Sequence, residues 1–151
     1  LYNNTTSNII MAFTKVKTQL LADEFLTRAD NVTLSSSTTS TTLDFDDNAV
    51  FEVTLPGDST NCTINLANAR IGVTKTIVIK TSSTAYSGTL SYDVTDSSGS
   101  ALTGTSTFVR LSSDDITKDA NTTNYVQITC VDEGSDAGDR TFIYTAGIAQ
   151  T

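Results

Sequence analysis

Between Thr42 and Lys80 the chain reads TLDFDDNAVFEVTLPGDSTNCTINLANARIGVTKTIVIK, three stretches of alternating apolar and polar residues separated by short breaks rich in turn formers. A period of two is the mark of a strand with one buried and one wet face. Phe51, Val53 and Leu55 fall on one side, with Glu52 and Thr54 on the other; Cys62, Ile64 and Leu66 repeat the pattern after Pro56-Gly57-Asp58, and Ile77 and Ile79 follow. A half-solvated sheet accounts for this most simply, and antiparallel sheets are the ones that commonly leave a face in water.

The same reading extends toward the C-terminus. Thr89 to Thr95 places Leu90, Tyr92 and Val94 inward, Thr105 to Leu111 is a further strand, Tyr125 to Asp132 places Val126, Ile128 and Cys130 inward, and Thr141 to Thr145 completes the set. Asp96 to Ser100 and Glu133 to Asp139 carry the Ser, Gly and Asp of hairpin loops. The expected fold is all-β: an antiparallel β-sandwich, jelly-roll-like, of about eight strands. Its core is expected to hold Phe51, Val53, Ile64, Ile77, Ile79, Tyr92, Ile128 and Phe142. Val32 to Thr42, with its SSSTTSTT centre, suits either a flexible linker or an extended strand.

Upstream lies a different kind of segment. Leu1 to Ala12 has no sustained period, whereas Phe13 to Arg28 sets Phe13, Val16, Leu20, Leu21 and Phe25 on one stripe of a short helix, with Lys15, Lys17, Asp23 and Glu24 off it. This divides the chain into an N-terminal arm and helix, residues 1–30, and a sandwich domain, residues 31–151. A striped helix outside a sandwich needs a surface to cover, so those five apolar residues are the candidate attachment or oligomerisation site.

Length and charge narrow the function. The 151 residues suffice for one good core. Ser and Thr make up roughly 30% of the chain, well above ordinary usage, which gives a polar but weakly charged surface. A net charge of -8 with scattered basic residues argues against nucleic-acid binding, which draws on clustered Lys and Arg. No run approaches a membrane span and no basic-then-apolar leader opens the chain, so a soluble protein without membrane contact is expected. Cys62 and Cys130 both fall at inward strand positions and read as buried thiols, with a disulfide across the sandwich as the alternative. The sequons at Asn3, Asn4, Asn31, Asn61 and Asn121 are expected by chance in a chain so rich in Asn and Thr.

The inventory of chemistry is short. Histidine is absent, which removes the usual general base and the commonest metal ligand. Asp44, Asp46 and Asn48 have the opening spacing of a calcium loop, but Ala49 stands where the turn needs Gly and Leu55 where the bidentate Glu belongs. The acidic group Asp132, Glu133, Asp136 and Asp139 reads as a solvated loop, with a nonstandard calcium site at this group or at Asp46 and Asp47 as the alternative. Paired carboxylates of a glycosidase would face a cleft lined with aromatics, and 7% aromatic content without Trp does not encourage that; Tyr86, Tyr92, Tyr125 and Tyr144 read as core or rim residues. The expectation is a non-enzymatic chain with no catalytic residue, no metal and no cofactor.

Leu43-Asp44, the run Phe51 to Thr60, Ile64 to Asn68, Ile71-Gly72 and Thr76 to Lys80 together resemble a β-sandwich module of tailed-bacteriophage virion structural proteins, found in fibres, spikes and capsid-attached proteins. The module usually continues with a Gly-rich hairpin and a Trp-containing strand, where this chain has Ser82 to Thr89 and no Trp. Met11 and the residues after it resemble the start of small marine-phage structural proteins, which would make Leu1 to Ile10 an upstream extension or the remnant of a processed leader. The resemblance implies a homotrimer on the virion, at the outer capsid surface or tail, made in the host cytoplasm. It implies a capsid decoration or knob protein or a short fibre, held by its N-terminal segment to the major capsid protein or other virion proteins, with a tail-fibre or receptor-binding module touching host surface glycans as a variant. A secreted filament subunit donating its N-terminal strand and a carbohydrate-binding sandwich are the remaining alternatives.

Overall fold

The computed structural model describes residues 30–113 and 115–148. Among these, nine strands follow one another without a helix: β1 (Asp30–Thr33), β2 (Ser40–Asp44), β3 (Val50–Leu55), β4 (Cys62–Ala67), β5 (Thr74–Thr81), β6 (Leu90–Val94), β7 (Thr107–Arg110), β8 (Thr123–Asp132) and β9 (Thr141–Ile148). They form a six-stranded sheet in the order β1-β3-β5-β8-β9-β7 and a three-stranded sheet in the order β2-β4-β6. The expected N-terminal helix with Phe13, Val16, Leu20, Leu21 and Phe25 lies outside the described residues.

The first six strands alternate between the sheets, odd strands in the larger and even strands in the smaller, and every second strand pairs in parallel. The chain therefore winds as a flattened coil, each turn adding one strand to each sheet. Parallel neighbours normally need a long crossover, usually a helix; here the crossover is a strand of the opposite sheet. The connections at residues 45–49, 56–61 and 68–73 are short because each only has to span the roughly 10 Å between stacked sheets. After the third turn the pattern changes. β8 pairs antiparallel with β5, and β9 lies between β8, its antiparallel neighbour, and β7, its parallel one.

One expectation is thereby corrected. Among the described residues the nine strands form mixed sheets, and five of the seven ladders are parallel where an antiparallel sandwich was expected. Alternation reports which side of a strand is dry, and that is the same for either direction of pairing. A short break rich in turn formers suits a sheet-to-sheet crossing as well as a hairpin, and the expected hairpin loop Glu133 to Asp139 does join the antiparallel pair β8 and β9. The ambiguous stretch from Val32 to Thr42 contains β1, a tight turn in which Ser35 and Thr38 exchange both backbone hydrogen bonds, and the start of β2.

Parallel register stacks like on like. Val32, Val53 and Ile79 form one inward row across β1, β3 and β5, and Leu43, Leu66 and Val94 form another across β2, β4 and β6. Both rows belong to a single apolar core between the sheets, with Phe51, Leu55, Ile64, Ile77, Val126, Ile128 and Phe142 fully buried. The inward assignments made from the alternation hold: seven of the eight expected core residues are buried, and Tyr92 is half-buried against the same core. The outer face of the larger sheet is polar over its first strands, where Glu52 pairs with Lys80 at 2.8 Å and accepts a hydrogen bond from the Asn31 amide at 3.0 Å.

The smaller sheet has half as many strands as the larger. A seam of six aromatic rings links the two layers: Phe51, Phe45, Phe142, Phe108, Tyr92 and Tyr144, each within 5.0–6.5 Å of the next, with Phe108 and Phe142 stacked almost parallel at 5.0 Å. Such contacts add to simple burial by roughly 0.5–1.5 kcal/mol per pair.

Candidate functional site

The acidic residues are engaged one by one in shaping loops. Asp44 accepts two hydrogen bonds from the Asn68 amide and one from the backbone of Asp46, all at 2.9 Å, and Asp46 pairs with Arg70 at 2.9 Å. Asn68 sits at φ 54°, a left-handed conformation that Asn tolerates, held by those bonds. In the β8–β9 hairpin, Glu133 accepts from the Ile71 backbone at 3.0 Å, Asp132 from Gly134 at 3.2 Å, and Asp139 from Thr105 at 2.7 Å. The Thr105 amide, and after it that of Asp136, lowers the Asp139 pKa; the Ser98 hydroxyl does the same for Asp96, and the Thr60 amide for Asp58. No group of three or more potential ligands converges on a metal position among the described residues.

Both thiols are free and buried, Cys62 on β4 and Cys130 on β8. Burial raises the pKa of each; Asp58 adds to the effect at Cys62, and Arg140 opposes it at Cys130. These are thiols kept neutral and packed, the opposite of the electropositive, exposed setting of a nucleophilic cysteine. Beside Cys62, Tyr86 donates its hydroxyl to the Thr89 carbonyl at 2.7 Å, and burial pushes its pKa up to about 12.

Among the described residues, side chains of differing chemistry meet around open space at the margin of the smaller sheet. There β6 ends the three-strand layer, and a cleft of about 210 Å³ opens between it and the inner side of β8 and β9. Leu90 and Tyr92 from β6, Val126 and Tyr144 from β8 and β9, and Asp115 and Lys118 from the β7–β8 connection line it. Its polar groups are already balanced. Asp115 pairs with Arg110 at 2.6 Å, while the Lys118 ammonium donates to the Gly88 carbonyl at 2.8 Å and lies 5.5 Å from the centre of the Tyr86 ring. Burial, then Tyr144 and Asp115, push the Tyr92 hydroxyl well above the ordinary tyrosine range, so it stays a donor.

The connection is fixed by a buried amide. Asn124, wholly inaccessible on the inner face of β8, accepts from the Thr117 backbone N–H at 2.7 Å and donates to the Thr117 carbonyl at 2.9 Å. Thr81 supports the far end by accepting from the Thr122 amide at 2.8 Å.

Of the residues singled out from sequence, Tyr92 and Tyr144 come together at this cleft, Tyr86 is in the core, and Tyr125 is exposed on the outer face. Phe13, Val16, Leu20, Leu21 and Phe25 lie outside the described residues. Asp115, Lys118 and Asn124 were not singled out; the only local signal was a polar, aperiodic stretch between two strands, which many loops share. No family model, curated protein or solved structure matches the chain.

Proposed function

We propose that the protein is a non-enzymatic structural component of a virion, a capsid decoration or knob protein or short fibre that assembles as a homotrimer and is anchored by its N-terminal segment. The observation that supports this is the outer face of the larger sheet at β7 and β8. Val109 and Leu111, alternate residues on one edge, and Tyr125 on β8 are 43%, 60% and 47% exposed. By the strand alternation all three stand on the solvent side, with Ile143 of β9 paired to Val109. Exposed apolar groups on one wet face suit burial against another chain. The polar side chains described above serve the fold, which suits a scaffold.

The test is native mass by light scattering together with co-sedimentation. The full chain at micromolar concentration is expected to scatter as a trimer and to sediment with capsids, and deletion of residues 1–28 is expected to leave a β-rich circular dichroism spectrum while abolishing sedimentation. Val109→Asp with Tyr125→Asp is expected to lower the native mass. A stable monomer, or a full chain that sediments with no particle, overturns the reading.

A further inference from the structure

We propose that the cleft beside β6 binds one neutral sugar ring, with Tyr92 and Tyr144 as its aromatic wall and Asp115 and Lys118 as its polar rim. Its volume, about 210 Å³, lies below the roughly 300–1,000 Å³ of pockets that take drug-sized ligands, so it admits a single ring or the last residue of a chain. Leu90 and Ile116 continue the apolar part of the lining. Overall aromatic content is low, but the topology concentrates it: Tyr92 and Tyr144, with centroids 5.7 Å apart, end the seam that runs through Phe108 and Phe142. A sugar has the matching make-up, with C–H faces that lie on aromatic rings and an edge of hydroxyls that both donate and accept.

Charge decides between ligand classes. An anion would have Asp115 against it, and a cation Lys118. A zwitterion would have to compete with Arg110 for the carboxylate and with the Gly88 carbonyl for the ammonium. A polyol need displace neither, because an ion-paired carboxylate keeps lone pairs to accept with and an ammonium has three protons to give. The protonated Tyr92 hydroxyl supplies a further donor. The site is independent of the assembly surface proposed above, since Val126 and Tyr144 face inward and Tyr125 and Val109 outward.

The ring is either a free monosaccharide or the terminal residue of a glycan, and the test separates the two. Full-length protein labelled with nitrogen-15 is titrated with glucose, galactose, mannose and N-acetylglucosamine, with glycine as the zwitterionic control, and is then applied to an array of glycans ending in the same four sugars. At least one sugar is expected to move the amides of residues 89–92, 115–118 and 144 with a millimolar dissociation constant. Asp115→Asn and Tyr92→Phe are each expected to weaken it about tenfold, equivalent to about 1.4 kcal/mol, and Tyr125→Ala to leave it unchanged. Asp115 is at the surface and Tyr92→Phe keeps the ring, so both variants should keep the native spectrum. Array binding identifies a glycan as the source and solution binding alone a free sugar; either sustains the site. No amide shift with any of the four sugars, an undiminished response in Asp115→Asn and Tyr92→Phe, or a stronger response to glycine overturns it.

Discussion

Asn124 and Thr117 hold each other by two hydrogen bonds, one in each direction, so that a single buried side-chain amide completes the backbone of the segment crossing above it. Asn124→Ala leaves both Thr117 groups without that partner, and an unmatched buried group costs about 1–3 kcal/mol. The expected loss of stability is about 3 kcal/mol by urea unfolding, with faster hydrogen exchange concentrated at residues 115–118. Exchange rising evenly over the whole molecule would show that Asn124 serves the core and not this segment.

The buried inner faces of the two sheets make a second prediction. Ile64 is wholly buried on the middle strand of the smaller sheet, between Thr41 and Tyr92. Ile64→Ala should cost roughly 2–5 kcal/mol, and Ile128→Ala the same on the larger sheet. An unchanged melting temperature in either variant would mean that the strand shows its other face to the core.

Acid should act through the loop carboxylates. Asp58, Asp96 and Asp139 have folded pKa values below the ordinary one because backbone amides and hydroxyls favour the charged form. A lowered folded value contributes stability that is complete above the unfolded carboxylate value of about 3.9 and lost as pH falls through the folded values. Carboxyl carbon titrations by NMR should find all three below the ordinary range, and Asp139→Asn should flatten the acid limb of the stability curve. Ordinary titration of Asp139 would remove it from the account.

Alkali and thiol reagents should report the opposite sign. The folded pKa of Tyr86 is raised to about 12, so its contribution is whole below the ordinary tyrosine value near 10 and fades as pH climbs through about 12. Cys62 and Cys130, buried and raised in pKa, should stay unreactive toward a disulfide reagent in the native protein and react stoichiometrically in denaturant. Rapid native labelling of either would place that thiol at the surface.

The faces of the strands were legible in the sequence and their partners were not. Phe51, Val53, Ile64, Ile77 and Ile79 declare themselves by alternation because burial acts on each residue separately. Whether Val53 meets its neighbour in parallel or antiparallel fashion depends on where the chain goes between strands, and residues 45–49 or 56–61 carry the same turn-forming types whether they double back or cross to another layer. The cleft was hidden for a related reason. Tyr92 and Tyr144 are 52 positions apart, a separation only the strand order closes, and Asp115 and Lys118 resemble any other loop charges until Asn124 fixes their segment.

The position of β9 has a bearing on how the molecule is made. β9 follows β7 and β8 in the chain yet lies between them, so during synthesis from the N-terminus the coil of β1 to β6 can form, and β8 can join it along β5, while β7 still has no neighbour. A nascent chain ending before Thr141 therefore presents two unpaired edges with a strand-wide gap between them, and the seam loses Phe142 and Tyr144. β9 joins those two edges, and the aromatic wall of the cleft exists only once it is in place.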